Sequence, residues 1–163
     1  MSLVGIDLGT TYSAIAALDE RGRPFTVPNR DGDMLTPSAV LLAGDDVVVG
    51  QAALDVSLEQ PDRVATLVKR RMGYDSYGKP VAGREFRPET LSAIILRKLV
   101  QDAERHLGPL RRAVITVPAY FDDTRRKATH DAGRIAGLDV IDILDEPSAA
   151  ALAYSFQREN VLP

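Results

Sequence analysis

A chain of 163 residues can bury one real core, and 45% apolar with 26% charged residues is the balance of an ordinary soluble globular protein. The net charge of −3 sets up no bulk field toward nucleic acid or an anionic membrane, and the absence of cysteine excludes disulfides and thiolate chemistry while leaving the redox compartment open. No apolar run approaches the roughly 18–20 residues that span a bilayer, and strand-like sequence begins too early for a signal peptide, so a cytoplasmic protein is expected, with Met1-Ser2-Leu3 compatible with a cloning remnant.

Leu3–Leu8 reads as a strand, and Tyr12–Asp19 as a second, joined to it by a tight Gly-Thr-Thr turn. Phe25–Val27 is a short third strand. Ser38–Ala43 and Val47–Gly50 form a hairpin around Gly44-Asp45-Asp46. Gln51–Glu59 reads as a short helix, Arg63–Gly73 is ambiguous, and Tyr74–Arg87 is loop-like, with glycines and Pro80. Tyr74 and Tyr77 fall in that loop and carry no assignment.

A clear helix starts near Pro88, a good first-turn residue. Leu91, Ile95, Leu99 and Ala103 recur every four residues, and Gly108-Pro109 stops the helix. Arg112–Val117 is a buried strand. Asp122 or Asp123 caps a helix that runs to Ala136 and ends at Gly137, with small Ala128, Ala132 and Ala136 turned inward. Leu138–Leu144 is another buried strand, and Pro147 opens a last helix. Alternating helix and strand in the second half predicts parallel pairing through right-handed crossovers. The meander of the first half predicts antiparallel pairing.

The polar residues gather at strand ends. In the first strand Val4, Ile6 and Leu8 share one face, and Gly5, Asp7 and Gly9 the other. Asp7 thus stands between two residues without side chains, which leaves room for a ligand near the backbone. Thr10 and Thr11 offer hydroxyls and turn N–H groups suited to phosphate oxygens. A carboxylate beside a phosphate cradle makes sense around a hydrated Mg²⁺ ion. The competing reading is a turn in which Asp7 only satisfies backbone donors. In open α/β sheets ligands sit at the carboxyl ends of parallel strands. Asp7, Pro118 and Asp145-Glu146 all follow strands and would share that rim. Glu146 is also explicable as a helix-start charge, and Lys69-Arg70-Arg71 as a solvated basic face.

Six stretches together, "VGIDLGTTYSAIAALD", "GDMLTPSAV", "VGQAA", "VKRRMG", "AVITVPAYFDDTRRKATHDAGRIAGLDV" and "DILDEPSAAALAY", resemble in this order the ATPase domain of the heat-shock protein 70 (DnaK-type) chaperones. The likeness covers about residues 3–156 and is most specific over Ala113–Tyr154. It implies an α/β ribonuclease-H-like (actin-like ATPase) fold: a mixed five-stranded sheet with flanking helices and a small inserted subdomain. It also implies ATP or ADP as ligand, with Mg²⁺ and K⁺.

Residue by residue, the resemblance implies that Asp7 holds the metal through water. Gly9, Thr10, Thr11 and the Tyr12 backbone would cradle the β- and γ-phosphates. Lys69 would reach the γ-phosphate and attacking water, and Glu146 would order the metal's water shell. Pro118 and Arg126 would relay nucleotide state to a substrate domain. The implied partners are unfolded peptides, a J-domain cochaperone and a nucleotide-exchange factor, with neither nucleic acid nor membrane.

Two departures shape the expectation. The loop between Lys69 and the Pro88 helix is short, so the inserted subdomain, at about 38–88, lacks some of the family's strands. The family's second phosphate loop, "DLGGGT", does not occur, and the adenosine pocket, interdomain linker and peptide-binding domain are missing with it. Residues 1–163 are therefore read as lobe I of a chaperone ATPase domain, inactive alone, with a second lobe of the same domain as its natural partner. An actin-like filament protein and a small-molecule kinase of the same superfamily are the alternatives. His106 and His130 have no metal-ligand company. Arg111-Arg112 and Arg125-Arg126-Lys127 read as surface charge, because aromatics do not interleave with them.

Overall fold

A computed structural model describes residues 2–159, with side chains over 3–156. Met1 of the expected remnant and both expected lobe limits, 1 and 163, lie outside the described residues.

The main sheet is built on β1 (Ser2–Asp7). Its alternation is strict: Val4 and Ile6 are buried, Gly5 and Asp7 exposed. A short turn leads to β2 (Tyr12–Leu18), and a second to β3 (Pro24–Thr26). Such short connections allow only antiparallel pairing, which both pairs adopt. On the other side of β1, β8 (Leu110–Val117) and β9 (Asp139–Asp145) are parallel neighbours, and the order is β3-β2-β1-β8-β9. The expected mixed sheet is present, with six strands where five were expected. A two-residue strand, β4 (Thr36–Pro37), also pairs with β2.

A second, three-stranded sheet is inserted between β4 and the long helix. The hairpin of β5 (Val40–Ala43) and β6 (Asp46–Val49) turns at Gly44 and Asp45, and β7 (Val64–Ala65) pairs on its far side. Between them α1 (Gln51–Asp55) is shorter than the expected Gln51–Glu59. Ser57, Glu59 and Gln60 donate back to Leu54 and Val56 in successive turns, so the chain bends before Pro61 instead of continuing the helix. The ambiguous Arg63–Gly73 resolves into β7 and a single 3₁₀ turn, Val68–Arg71. Neither is long enough to show a period.

The helix α2 (Pro88–Leu107) buries the expected stripe of Leu91, Ile95, Leu99 and Ala103. It packs with α3 (Asp123–Ile135) on the Val4–Ile6 face of the main sheet. Asp122 caps α3 by accepting a hydrogen bond from the Arg125 amide at 2.9 Å. One core runs from Ile6 and Ile115 through α2 to Val40, Val68 and Met72 of the inserted subdomain.

Close approach of α3 to the sheet rests on Gly133 as well as the alanines. A Cβ there would stand 2.4 Å from Val140 Cγ2 and 3.0 Å from Ile115 Cδ1. Gly133→Ala is expected to destabilise the protein by about 1–3 kcal/mol despite the better helix propensity of alanine, because overpacking outweighs it. Urea unfolding of the two proteins checks this.

The last helix, α4 (Glu146–Glu159), begins at Glu146, one residue before the expected Pro147, and packs against β8 and β9.

Candidate functional site at the carboxyl rim of the main sheet

The register of the three parallel strands brings distant residues into line. Asp7 of β1 pairs with Thr116 of β8, and Thr116 with Leu144 of β9, followed by Asp145 and Glu146. The Thr116 hydroxyl donates to Asp7 Oδ1 at 3.2 Å. Beside Asp7 a cavity of about 270 Å³ opens, lined by Gly5, Ala14, Ala16, Thr116, Leu144 and Ala149.

The turn after β1 is held by a small hydroxyl network. Ser13 Oγ accepts from the Gly9 amide at 3.1 Å and lies 2.8 Å from Ser38 Oγ. Ser38 Oγ donates to the Gly9 carbonyl at 2.9 Å, and the Ser38 amide donates to the Thr11 carbonyl at 2.8 Å. This fastens the turn to the chain that enters the inserted subdomain. Thr10 is half-buried, and Thr11 and Tyr12 are exposed at the turn's outer side. Gly9 has a second reason to be glycine: a Cβ there would stand 1.8 Å from the Tyr12 carbonyl oxygen. By contrast, a Cβ on Gly5 would meet nothing within 4 Å, so Gly5 is the glycine that keeps open space.

Lys69 arrives from the other side. After β7 the chain reverses at Leu67, whose φ of 55° is left-handed, and enters the 3₁₀ turn. Lys69 is only 7% exposed, yet its Nζ reaches Glu146 Oε1 at 2.6 Å, where the glutamate is 41% exposed. Seventy-seven positions separate the two residues. Arg126 is tied to the residue before that glutamate: its guanidinium donates to Asp145 Oδ1 at 2.6 Å and to the Ile143 carbonyl at 3.3 Å. Pro118 follows β8 on the same rim, and its carbonyl accepts from the Phe121 amide at 3.0 Å.

The rim thus carries Asp7, Gly9, Thr10, Thr11, Tyr12, Pro118, Arg126 and Glu146, with Lys69 reaching over from the inserted subdomain. Ser13, Ser38 and Thr116 were not anticipated. Ser13 had a weak signal, as a serine directly after the turn. Ser38 had none, being 25 positions from its partner. Tyr77, left unassigned, supports the approach to Lys69. Its hydroxyl donates to the Thr66 carbonyl at 2.8 Å and accepts from the Thr66 amide at 3.0 Å, and burial pushes the phenol's pKa up.

The donor set also bears on metal binding. Among the described residues no cluster of three His, Cys, Asp or Glu side chains could cage an ion. Asp7 and Glu146 at an open rim suit Mg²⁺, which keeps much of its water and uses few carboxylates alongside phosphate oxygens. His130 lies 4.0 Å from Asp131 and His106 stands in the last turn of α2, both away from the rim.

A family model described as Hsp70 protein matches residues 3–82 and 77–161. The chain belongs to the Hsp70 family. Its fold is accordingly the actin-like ATPase fold, here with a mixed sheet of parallel and antiparallel strands. Hsp70 proteins are chaperones that bind ATP or ADP with a divalent metal, and the full-length proteins are ATPases working with unfolded peptides and cochaperones. The matched residues are those of the nucleotide-binding domain of such a chaperone. Among the described residues no helix is long and apolar enough to cross a membrane.

Proposed function

We propose that this Hsp70 chain is lobe I of a two-lobed ATPase domain, residues 1–163 with a subdomain inserted at about 38–88, and that the rim binds the triphosphate of ATP. The parent would be a cytoplasmic, DnaK-type stress-response chaperone that uses ATP turnover to gate peptide binding. What carries the reading is the meeting of Lys69 and Glu146 at 2.6 Å on the rim that also holds Asp7.

In this reading the amides and hydroxyls of Gly9–Tyr12 cradle the β- and γ-phosphates. The Lys69 ammonium has three donors, so the bond to Glu146 leaves others for a γ-phosphate oxygen and the attacking water. Asp7 and Glu146 would hold Mg²⁺ through water; when bound, the ion neutralises phosphate charge. K⁺ would serve the same end. Hydrolysis of a phosphoanhydride needs chiefly such positioning and neutralisation. The rim groups approach the ligand from one side. A second lobe would close the other and exclude the water that otherwise screens Lys69.

Calorimetry with Mg-ATP tests the two-lobe reading. The present chain is expected to bind more weakly than about micromolar and to hydrolyse nothing measurable, whereas a version extended by the second lobe gains both. Micromolar binding by this chain alone would overturn it. Phosphate transfer to a small hydroxylated substrate, or nucleotide-dependent sedimentation as filaments, would favour the kinase or the filament protein.

Pro118 and Arg126 are proposed to pass nucleotide state onward, with J-domain and exchange-factor partners acting on the same domain. Arg126→Ala removes the 2.6 Å tie to Asp145, beside Glu146. It is expected to spare ATP binding while lowering ATP-triggered peptide release by roughly fivefold or more, the usual scale of a coupling energy. Unchanged release in both Arg126→Ala and Pro118→Ala would remove the relay.

A further inference from the structure

The 3₁₀ turn that carries Lys69 has a second attachment. Gly73, at φ +85°, lies flat against the first turn of α3: a Cβ there would stand 2.8 Å from Arg125 Cγ and 3.5 Å from Arg125 Cα and N. Next to it the Tyr74 ring takes two guanidinium groups. Arg71 Cζ, from the Lys69 turn, lies 4.5 Å from the ring centroid, and Arg125 Cζ, from α3, lies 5.9 Å from it. Arg125 also lies 5.6 Å over Phe121, which fixes its own position. Arg71 Nε is buried without a hydrogen-bond partner, and its guanidinium packs between the Tyr74 ring and Gly78. Two cations brought this close repel; the electron-rich ring face attracts both and makes the approach favourable.

These contacts close a circuit. Lys69 holds Glu146; Asp145, one residue earlier, holds Arg126; Arg125 is its neighbour on α3; and Arg125 holds Tyr74, five residues after Lys69. Val68 and Met72 seat the Lys69 turn in the core against α2; the Tyr74 leg ties the same turn to α3, just after the left-handed, non-glycine Leu67. We infer that Tyr74 is a positioning residue for Lys69, clamping the lysine's turn to α3 through Arg71 and Arg125 so that the ammonium is fixed relative to Glu146. This rests on the proposed phosphate role of Lys69.

The test is steady-state ATP hydrolysis by the full-length ATPase. Tyr74→Ala is expected to lower kcat roughly tenfold with KM little changed, the effect of a slightly misplaced catalytic group. Tyr74→Phe, which keeps the ring, restores kcat to within about twofold. In a Lys69→Ala background, Tyr74→Ala adds no further loss, because the two act as one unit. Should Tyr74→Ala fail to fold, Arg125→Gln, which keeps the side-chain stem and removes the cation, is expected to lower kcat in the same direction. Normal kcat in Tyr74→Ala or in Arg125→Gln, failure of Tyr74→Phe to restore it, or losses that add to that of Lys69→Ala would each overturn the clamp. If Lys69→Ala is itself harmless, the phosphate-site reading fails and the clamp with it; if Lys69→Ala is severe while Tyr74→Ala is silent, only the clamp fails.

Discussion

Lys69→Ala is expected to cut ATP turnover by the full-length protein by roughly two or more orders of magnitude, the typical loss when one preorganised electrostatic group is removed. Asp7→Asn and Glu146→Ala are expected to fall in the same range. The three differ in their cost to folding. Asp7 is exposed at a strand end, and the Thr116 hydroxyl donates to it at 3.2 Å, a bond that asparagine can also accept. Lys69→Ala leaves a glutamate that is 41% exposed and free to hydrate, and Lys69→Met does the same while keeping most of the buried stem. Glu146→Ala is the costly direction, because it strands an ammonium that is only 7% exposed. A destabilisation of about 1–3 kcal/mol is expected for it, less than for a fully buried pair since water reaches the rim. Turnover and urea unfolding, measured on the same variants, separate the two effects. Near-normal turnover in all three would remove the site assignment.

Gly9→Ala is expected to disable nucleotide binding and to destabilise the protein by about 2–4 kcal/mol. The added Cβ would stand 1.8 Å from the Tyr12 carbonyl oxygen and 3.0 Å from its carbon, and these are backbone atoms that no rotamer change can move. The turn must open, and opening breaks the Gly9–Ser13–Ser38 network that shapes the proposed cradle. Gly5→Ala is the control, since its Cβ would meet nothing within 4 Å. It is expected to change stability by less than about 1 kcal/mol. Equal unfolding midpoints for the two alanine variants would contradict the geometry of the turn.

Several features were legible in the sequence because their cause is local. The alternation of Val4, Ile6 and Leu8 with Gly5 and Asp7 needs only the two-residue repeat of a strand. The stripe from Leu91 to Ala103, the Asp122 cap and the stop at Gly137 need only the helical repeat and the chemistry of helix ends. Parallel pairing of β1, β8 and β9 followed from the alternation of strands with long helices. Illegible were the pieces too short to carry a period, β4, β7 and the 3₁₀ turn, which neighbours hold in place.

The sequence by itself determined the chain's longer elements and the one-sided placement of polar residues at strand ends, because residue type and spacing act over a few bonds. Only the tertiary structure decided which of those residues meet. Read from its neighbours alone, Lys69 belonged rather to a solvated basic face; it became a rim residue through its own burial and a carboxylate 77 positions away. Gly9 looked like space for a ligand, and the fold shows the Tyr12 carbonyl already beside it. Tyr74, without any local signal, lies between two elements whose nearness depends on the whole core. Contacts of this kind are fixed by long-range packing, where many weak apolar contacts set distances that local sequence does not encode.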